Sequence, residues 1–275
     1  MTKYFIYILL IVSAFSCSKK IEVDENKVFK LNRYDNISSL DPINARTQAN
    51  NWGCNLMYNS LVKIDNELEI QPDIAKSWTI SPDGKTYLFT LRKDVYFHKH
   101  EAFGKDSTRI VNATDFEFSF NRLKDPNAGG SGGWILNNIN SYKAINDTVF
   151  EIKLKEAYPA FLGLISMKYA SVVPKELFKN GNEEFLKNPI GTGPFQFKIW
   201  EDNVKMVFRK NPKYFEFDEK NQRLPYLEAV NITFLPEKNS EFLEYQNISD
   251  SNRQSDSGFH LCMKDLNRPS YQDFL

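Results

Sequence analysis

The stretch IQPDIAKSWTISPDGKTYLFTLRKDVYFH, residues 70–98, predicts two β-strands joined by a tight turn. At its centre, residues 81–85 (SPDGK) combine proline, aspartate and glycine, each of which favours a bend. After the turn, residues 86–92 place large side chains at every second position, which is the period of a strand with one buried face. Residues 78–80 supply the partner strand. The stretch therefore predicts a β-hairpin.

Helical and strand patterns alternate along the rest of the chain. Residues 47–62 carry apolar side chains at mostly helical spacing, which predicts a helix with one apolar face. Thr114 and Glu117 have the spacing of a capping box, which predicts a second helix that ends at Asp125-Pro126. The further predicted elements are strands at 28–32, 147–154 and 227–236, two strands within 195–211, and a short helix at 158–166 that begins at Pro159. This mixture favours an α/β or α+β architecture.

The composition is that of a globular protein without excess charge. The 275 residues include 35 basic and 35 acidic side chains, and 41% are hydrophobic. Because no bulk charge is available to attract a polyanion, the sequence gives no indication of a nucleic-acid partner. The length permits one large domain or two ordinary ones.

Residues 1–17 have the pattern of a secretory signal. Lys3 precedes an uncharged apolar run at residues 4–12, which is too short to span a bilayer as a mature helix. We therefore expect the chain to be exported.

The end of this signal resembles a bacterial lipobox. Residues 13–20 (SAFSCSKK) place small side chains before Cys17, although Ala14 and Phe15 depart from the usual order. This interpretation makes Cys17 the first mature residue, which carries lipid, and residues 18–27 a tether to the membrane. A secretory signal cleaved nearby and an uncleaved anchor are the alternatives.

Two cysteines remain after Cys17. Export to an oxidising compartment gives Cys54 and Cys262 the opportunity to form a disulfide. Cys54, however, lies among apolar residues in a predicted helix. The sequence favours a buried small side chain at Cys54 and leaves pairing with Cys262 as the alternative.

The segment NPIGTGPFQF, residues 188–197, raises the question of a phosphate-binding loop because it contains Gly-Thr-Gly. Such a loop needs several free backbone N–H groups at the start of a helix. Here Pro194 lacks the N–H group, and a strand pattern follows. We expect instead that Gly191 and Gly193 are needed either for positive φ angles or for close packing of the backbone.

The three histidines give little support for metal binding or catalysis. His98 and His100 would share one face of a strand, but the remaining histidine, His260, is distant in the sequence. We therefore interpret His98 and His100 as solvated side chains rather than metal ligands. No nucleophile elbow or Ser-His-Asp set is visible, so no enzyme activity and no cofactor are predicted.

Six segments in order resemble the family 5 extracellular solute-binding proteins, which are the dipeptide, oligopeptide and nickel binding components of bacterial ABC importers. The segments are SLDP (39–42), LMYNSLVKID (56–65), residues 70–98, NATDFEFSFNRLKDP (112–126), residues 188–197 and NPKYF (211–215). One such segment would be weak evidence, whereas six in order are specific. The altered loop HKHEAFG (98–104) departs from the family pattern, which usually has an Asp-Gly turn there.

The resemblance implies an α/β fold of the type II periplasmic-binding-protein-like architecture, in which two lobes close on a ligand by hinge motion. It also implies a peptide or another small solute as ligand, ABC permease subunits as partners, and a location in the periplasm or at the cell surface. The ligand could equally be a dipeptide, a longer peptide or a nickel complex.

The resemblance also implies where the ligand contacts lie. Family members contact ligand just before and within the first long helix, and through a loop that here ends in SGGW, residues 131–134. Thr47, Asn50 and Asn51 could offer hydrogen bonds to an extended peptide, and Trp134 could cover apolar side chains. Capping or solvation of the polar residues and gap filling by Trp134 are the structural alternatives.

The family pattern covers residues 28–245 and fades beyond them. Residues 246–275 are rich in Ser, Asn and Asp, and we expect them to be a disordered tail outside the family domain. Family members are substantially longer than this chain. The resemblance therefore predicts a first lobe only, without the second lobe and without the carboxylate that usually pairs with the α-amino group of a peptide.

Overall fold

The computed structural model describes residues 27–179, 181–237, 240 and 243 of the chain. The strands are β1 (Val28–Arg33), β2 (Val62–Ile64), β3 (Ile70–Pro72), β4 (Ala75–Ile80), β5 (Thr86–Leu91), β6 (Ile139–Asn146), β7 (Val149–Leu154), β8 (Phe195–Glu201), β9 (Lys205–Lys210) and β10 (Ala229–Phe234). The α-helices are α1 (Gln48–Met57), α2 (Ala113–Lys124), α3 (Phe161–Ile165) and α4 (Glu183–Lys187). Short 3₁₀ turns lie at Pro42–Asn44, Glu101–Asp106, Pro126–Ala128, Gly133–Leu136, Lys168–Ala170 and Lys175–Phe178.

The predicted hairpin is confirmed as β4 and β5, and it forms one half of an antiparallel sheet. The strand order in this meander sheet is β4-β5-β7-β6. The turn between β4 and β5 closes because Asp83 Oδ1 accepts the Lys85 N–H at 3.1 Å and Ser81 O accepts the Gly84 N–H at 2.8 Å. Gly84 has φ +69°, which glycine adopts without strain.

Helix α2 packs its aromatic side chains on this sheet. The Phe116 and Phe120 rings lie 5.8 and 5.6 Å from the ring of Phe150, which is buried on β7. The predicted end of α2 at Asp125 is confirmed, and its buried face includes Phe116, Phe120 and Leu123. Burial of these rings holds the helix on the sheet, because large aromatic side chains contribute most of the buried apolar area.

The capping box of α2 was predicted at the wrong residues. Asn112 is the N-cap, and its side chain and that of Asp115 each accept a hydrogen bond from the other residue's backbone N–H. Glu117 instead accepts the Ala144 N–H of β6 at 3.1 Å. Asn is an equally good cap, so the Thr-x-x-Glu spacing two residues later was misleading.

A second four-stranded sheet has the order β1-β10-β9-β8. Strand β1 pairs with β10 in parallel, and the other pairs are antiparallel. The strands predicted at 28–32, 195–211 and 227–236 are thereby confirmed. Helix α1 packs against β8, and the small hairpin β2-β3 leads into β4.

Helix α1 is shorter than its periodicity predicts. It ends at Met57, because Tyr58 adopts an extended conformation with φ −128° and ψ 149°. The chain from Ser60 onward pairs with the segment before β4, where Ile74 N–H donates to Ser60 O at 3.1 Å. Strand pairing therefore overrides the apolar helical spacing of residues 58–62. Helix α3 likewise begins at Phe161, two residues after Pro159.

A buried ion pair connects the segment before α1 with α2. Arg122 Nη1 donates to Asp41 Oδ1 at 2.8 Å, and its Nη2 donates to Asp41 Oδ2. Both side chains are buried, so each charge depends on the other for its neutralisation. The ring of Phe178 covers the guanidinium at 4.5 Å.

The predicted burial of Cys54 is confirmed, since its side chain is inaccessible in the core and burial raises the pKa of its thiol. Cys262 and residues 246–275 lie outside the described residues, as do Cys17 and the tether up to residue 26. Among the described helices, none has the length and apolar composition that crossing a membrane requires.

Candidate functional site

The segment Gly191–Gly193 lies against the last turn of α1. There is no room for a side chain at Gly191 or at Gly193. A Cβ on Gly191 would overlap the carbonyl oxygen of Met57, and a Cβ on Gly193 would lie 2.5 Å from the Met57 carbonyl carbon. The Gly193 N–H donates to Met57 O at 2.7 Å. Close packing is therefore confirmed as the reason for both glycines. Positive φ, the other expected reason, is wrong, because neither residue is among the described glycines that adopt it.

His98 holds the other side of this segment. The Gly191 N–H donates to His98 Nδ1 at 3.3 Å, so Nε2 carries the proton and donates to Gly193 O at 2.9 Å. The backbone N–H of His98 also donates to Gly191 O at 2.8 Å. Burial lowers the pKa of His98 to about 4, which keeps the ring neutral.

Further buried polar groups extend this network. Thr192 Oγ1 donates to Asn59 Oδ1 at 3.0 Å, and Asn59 Nδ2 donates to Asp73 Oδ1 at 2.8 Å. Asp73 also accepts the Ser60 N–H at 2.9 Å, and Asn211 Nδ2 donates to the Gly193 carbonyl at 2.9 Å. Burial raises the pKa of Asp73 to about 6. All of these contacts are internal to the protein, so the segment is a structural junction.

The interpretation of His98 and His100 as solvated side chains is wrong. Only 2% of His98 and 8% of His100 is exposed. His98 is bonded to Gly191 and Gly193, and His100 caps the 3₁₀ turn Glu101–Asp106. His100 Nδ1 accepts the Ala102 N–H at 3.1 Å, and its Nε2 lies 3.9 Å from Glu184 Oε1. Within the described part of the chain, His, Cys, Asp and Glu side chains form no group of three suited to a metal ion.

Three segments converge at the start of α1, and we call residues 42–48, 129–134 and 167–170 the loop cluster. The Ser131 N–H donates to Ile43 O at 3.0 Å, and the glycine before it, Gly130, packs on the Ile43 side chain. The two loops expected to contact ligand are thus brought together. No sequence signal links them, because two α-helices and four strands lie between Ile43 and Ser131 in the chain.

The sequence analysis did not predict the third segment of the loop cluster, residues 167–170. The Tyr169 ring packs against Gly132, where any Cβ would collide with it. Lys168 Nζ donates to Tyr58 O at 3.1 Å, which ties this segment to the end of α1. The side chain of Met167 is 40% exposed and adds an apolar group to the surface. The glycines of residues 129–133 were the available signal that something packs closely there.

Two of the predicted contact residues have structural partners. Thr47 is the N-cap of α1, and its Oγ1 accepts the Asn50 N–H at 3.1 Å. Asn50 is buried, and its Oδ1 accepts the Ser38 N–H at 2.9 Å while its Nδ2 donates to Asn44 O at 3.1 Å. Asn50 therefore uses both ends of its amide to hold the chain before α1.

The other two predicted residues are accessible. Asn51 is half-buried on the first turn of α1, and Trp134 is 49% exposed on the loop cluster. The neighbouring Trp52 packs instead under the guanidinium of Arg33, which lies 4.7 Å from its ring centroid. The loop cluster and the adjoining first turn of α1 therefore leave a hydroxyl, an amide, an indole and a thioether accessible.

The chain is thus a mixed α/β protein with a structural Gly-Thr-Gly junction and two converging loops. The sequence profile of bacterial extracellular solute-binding proteins, family 5 Middle, matches residues 69–247. The chain therefore belongs to this family, and its fold is that of the type II periplasmic binding proteins.

Individual relatives agree with this assignment. The dipeptide-binding protein of Escherichia coli (strain K12) is 31% identical over 207 residues, which cover 69% of this chain and 37% of the relative. A solved structure of the periplasmic binding protein DppA from Helicobacter pylori in complex with peptide STSA matches with a TM-score of 0.72 and 29% identity, over 81% of this chain and 45% of that one. NikZ from Campylobacter jejuni in complex with Ni(L-His) matches with a TM-score of 0.69 and 27% identity, over 82% of this chain and 42% of that one. The chain thus spans less than half the length of these relatives.

The junction at His98 predicts a specific pH dependence. The pKa of His98 in the folded protein, about 4, lies below its ordinary value of 6.5. The neutral ring therefore stabilises the folded state above pH 6.5, and this stability is lost as the pH falls towards about 4. We expect the wild-type chain to lose about 2 kcal/mol of unfolding free energy between pH 7 and pH 5 relative to His98→Gln, which keeps a donor and an acceptor but does not titrate.

The measurement is urea unfolding of both proteins at the two pH values. Asp73, whose raised pKa favours the folded state at acid pH, titrates in both proteins and cancels from the difference. An equal pH dependence of the two proteins would show that the ring is not held neutral by this junction.

Proposed function

We propose that this chain is part of a substrate-binding lipoprotein of an ABC-type peptide importer, which binds peptides non-covalently for delivery to a permease. The observation that carries the proposal is the loop cluster, in which the segment before α1 and the loop ending at Trp134 meet through the Ser131–Ile43 hydrogen bond. The family assignment supports it, because solute-binding proteins of this family include the dipeptide-binding and peptide-bound relatives. The proposed role involves no catalytic step and no cofactor.

The proposed contacts differ in what they offer. Thr47 keeps a hydroxyl proton for a peptide carbonyl while its lone pair caps α1, and Asn51 offers an amide on the adjacent turn. Trp134 offers an aromatic face for an apolar side chain. Asn50, whose amide is occupied, contributes by holding the chain before the helix.

Peptide affinity of the loop cluster alone is expected to be low. Typical ligand sites enclose most of the ligand surface between walls, whereas Trp134 and Met167 face solvent in the described structure. A second wall would have to cover these side chains to reach the affinity of a closed site. A nickel complex remains a second ligand class because NikZ holds Ni(L-His).

The lipid anchor places this binding surface at a membrane. We propose that Cys17 carries the acyl chains, that residues 18–27 are the tether, and that the protein resides in the periplasm or at the cell surface. Two or more acyl chains hold a protein durably on a bilayer, since each buried methylene contributes about 0.8 kcal/mol.

Peptide binding can be tested by nuclear magnetic resonance on the 275-residue chain. Titration with dialanine and with the tetrapeptide Ser-Thr-Ser-Ala should shift the indole N–H signal of Trp134 and the amide signals of Thr47 and Asn51, with a dissociation constant of about 1 mM or weaker. The indole signal of Trp78, on the meander sheet, should stay in place as an internal reference.

Trp134→Ala should weaken these shifts, and Tyr34→Ala, which removes an exposed aromatic ring outside the loop cluster, should not. If neither peptide shifts the loop cluster, peptide recognition by this surface is refuted. That result would favour either the nickel complex as ligand or the alternative function, an accessory lipoprotein without a transport role.

Lipidation is tested separately by metabolic labelling with an alkyne analogue of palmitate. We expect the wild-type protein to carry the label and to sediment with membranes, and Cys17→Ser to lose both properties. Cys262→Ser is the matched control and should retain both. Labelling that survives Cys17→Ser would contradict the assignment of the anchor.

A further inference from the structure

A groove with a volume of about 410 Å³ lies beside α2, outside the loop cluster. One wall is the exposed side of α2, and the other is formed by Phe178, Gly181 and Asn182. Its volume lies within the range of small-molecule sites. The groove is also lined by the 3₁₀ turn Pro126–Ala128.

The walls of the groove are aromatic. Phe118 and Phe178 pack against each other with ring centroids 5.4 Å apart and planes inclined by 48°, and both line the groove. Beneath them lies Arg122, whose guanidinium stacks on Phe178 and is neutralised by the buried carboxylate of Asp41. The floor therefore presents no unbalanced positive charge to a ligand.

The rim of the groove carries an unbalanced negative charge. Asp125 Oδ1 accepts the backbone N–H and the side-chain amide of Asn127 at 2.9 and 3.1 Å. Its Oδ2 has no hydrogen-bond or ion-pair partner among the described residues, and Lys124 and Lys179 do not line the groove. Asn121 and Asn182 add two further amides to the same lining.

We propose that this groove binds a small organic ammonium ion with an aromatic or flat apolar body. The ammonium group pairs with Asp125 Oδ2, and the amide oxygens of Asn127 and Asn182 can accept its remaining protons. The body of the ligand packs on the Phe118 and Phe178 rings, whose faces also attract positive charge. An anionic ligand is disfavoured at this point of the groove, because it would face the Asp125 carboxylate.

This inference does not depend on the proposed transport function. The groove and the loop cluster share no residue, so each site has its own signals in a titration. The probe for the groove is L-phenylalaninamide, which carries an ammonium group and a phenyl ring. N-acetyl-L-phenylalaninamide is the neutral match, with the same ring and no charge.

The experiment records amide shifts of the 275-residue chain during titration with each compound. We expect L-phenylalaninamide to shift the amide signals of Asn127, Ala128 and Gly181, and the neutral match to bind at least fivefold more weakly. Asp125→Asn should weaken binding of the cation five- to tenfold and leave binding of the neutral match unchanged. This variant removes the charge but keeps the cap of the turn, since Asn caps as well as Asp.

Asp106→Asn removes an exposed carboxylate elsewhere and should leave both affinities at the wild-type value. Phe178→Leu keeps an apolar wall without an aromatic face and should weaken binding of the cation more than that of the neutral match. Equal binding of the two compounds to the wild-type chain, shifts confined to other surfaces, or no shifts at the highest soluble concentration would each overturn the proposal.

Discussion

The close contact between Gly191, Gly193 and the carbonyl group of Met57 is the constraint on which the rest of the structure depends. It places the start of β8 directly on the last turn of α1, at a distance that no side chain permits. His98 then joins the same segment to the chain that leaves β5, through both of its ring nitrogens. One short loop thus connects the two sheets and the helix that supports the loop cluster.

Much of the fold could be predicted because its signals are local. The alternation in residues 86–92 and the turn chemistry of residues 81–85 specify the β4-β5 hairpin without reference to any other part of the chain. The predictions were wrong where contacts with residues distant in the sequence determine the local structure. The residues after Met57 have helical spacing, but their pairing with the segment before β4 ends α1 early.

The candidate site was less predictable than the fold. The burial of His98 follows from its bonds to Gly191 and Gly193, which are distant in sequence. Similarly, nothing in the sequence around Tyr169 indicates that its ring supports Gly132. The resemblance to a family pointed to two loops that the structure brings together, but only the structure shows that the amide of Asn50 is already occupied by the protein.

Two surfaces of different chemistry emerge from this architecture. The loop cluster combines hydrogen-bonding groups with an indole and a thioether, which suits a peptide with apolar side chains. The groove beside α2 combines two phenyl rings with a carboxylate, which suits an organic cation. Both lie next to the buried pair of Asp41 and Arg122, so the same ion pair supports the segment before α1 and the floor of the groove.

The most direct test of this account is the unfolding free energy of Gly191→Ala, measured by urea denaturation beside Gly163→Ala. An added methyl group at position 191 must displace the end of α1, and we expect a loss of about 2 kcal/mol or more. Gly163 lies within α3 with open space around it, so its substitution should leave stability unchanged or raise it by up to about 1 kcal/mol. Wild-type stability of Gly191→Ala would contradict the structural role of the Gly-Thr-Gly junction.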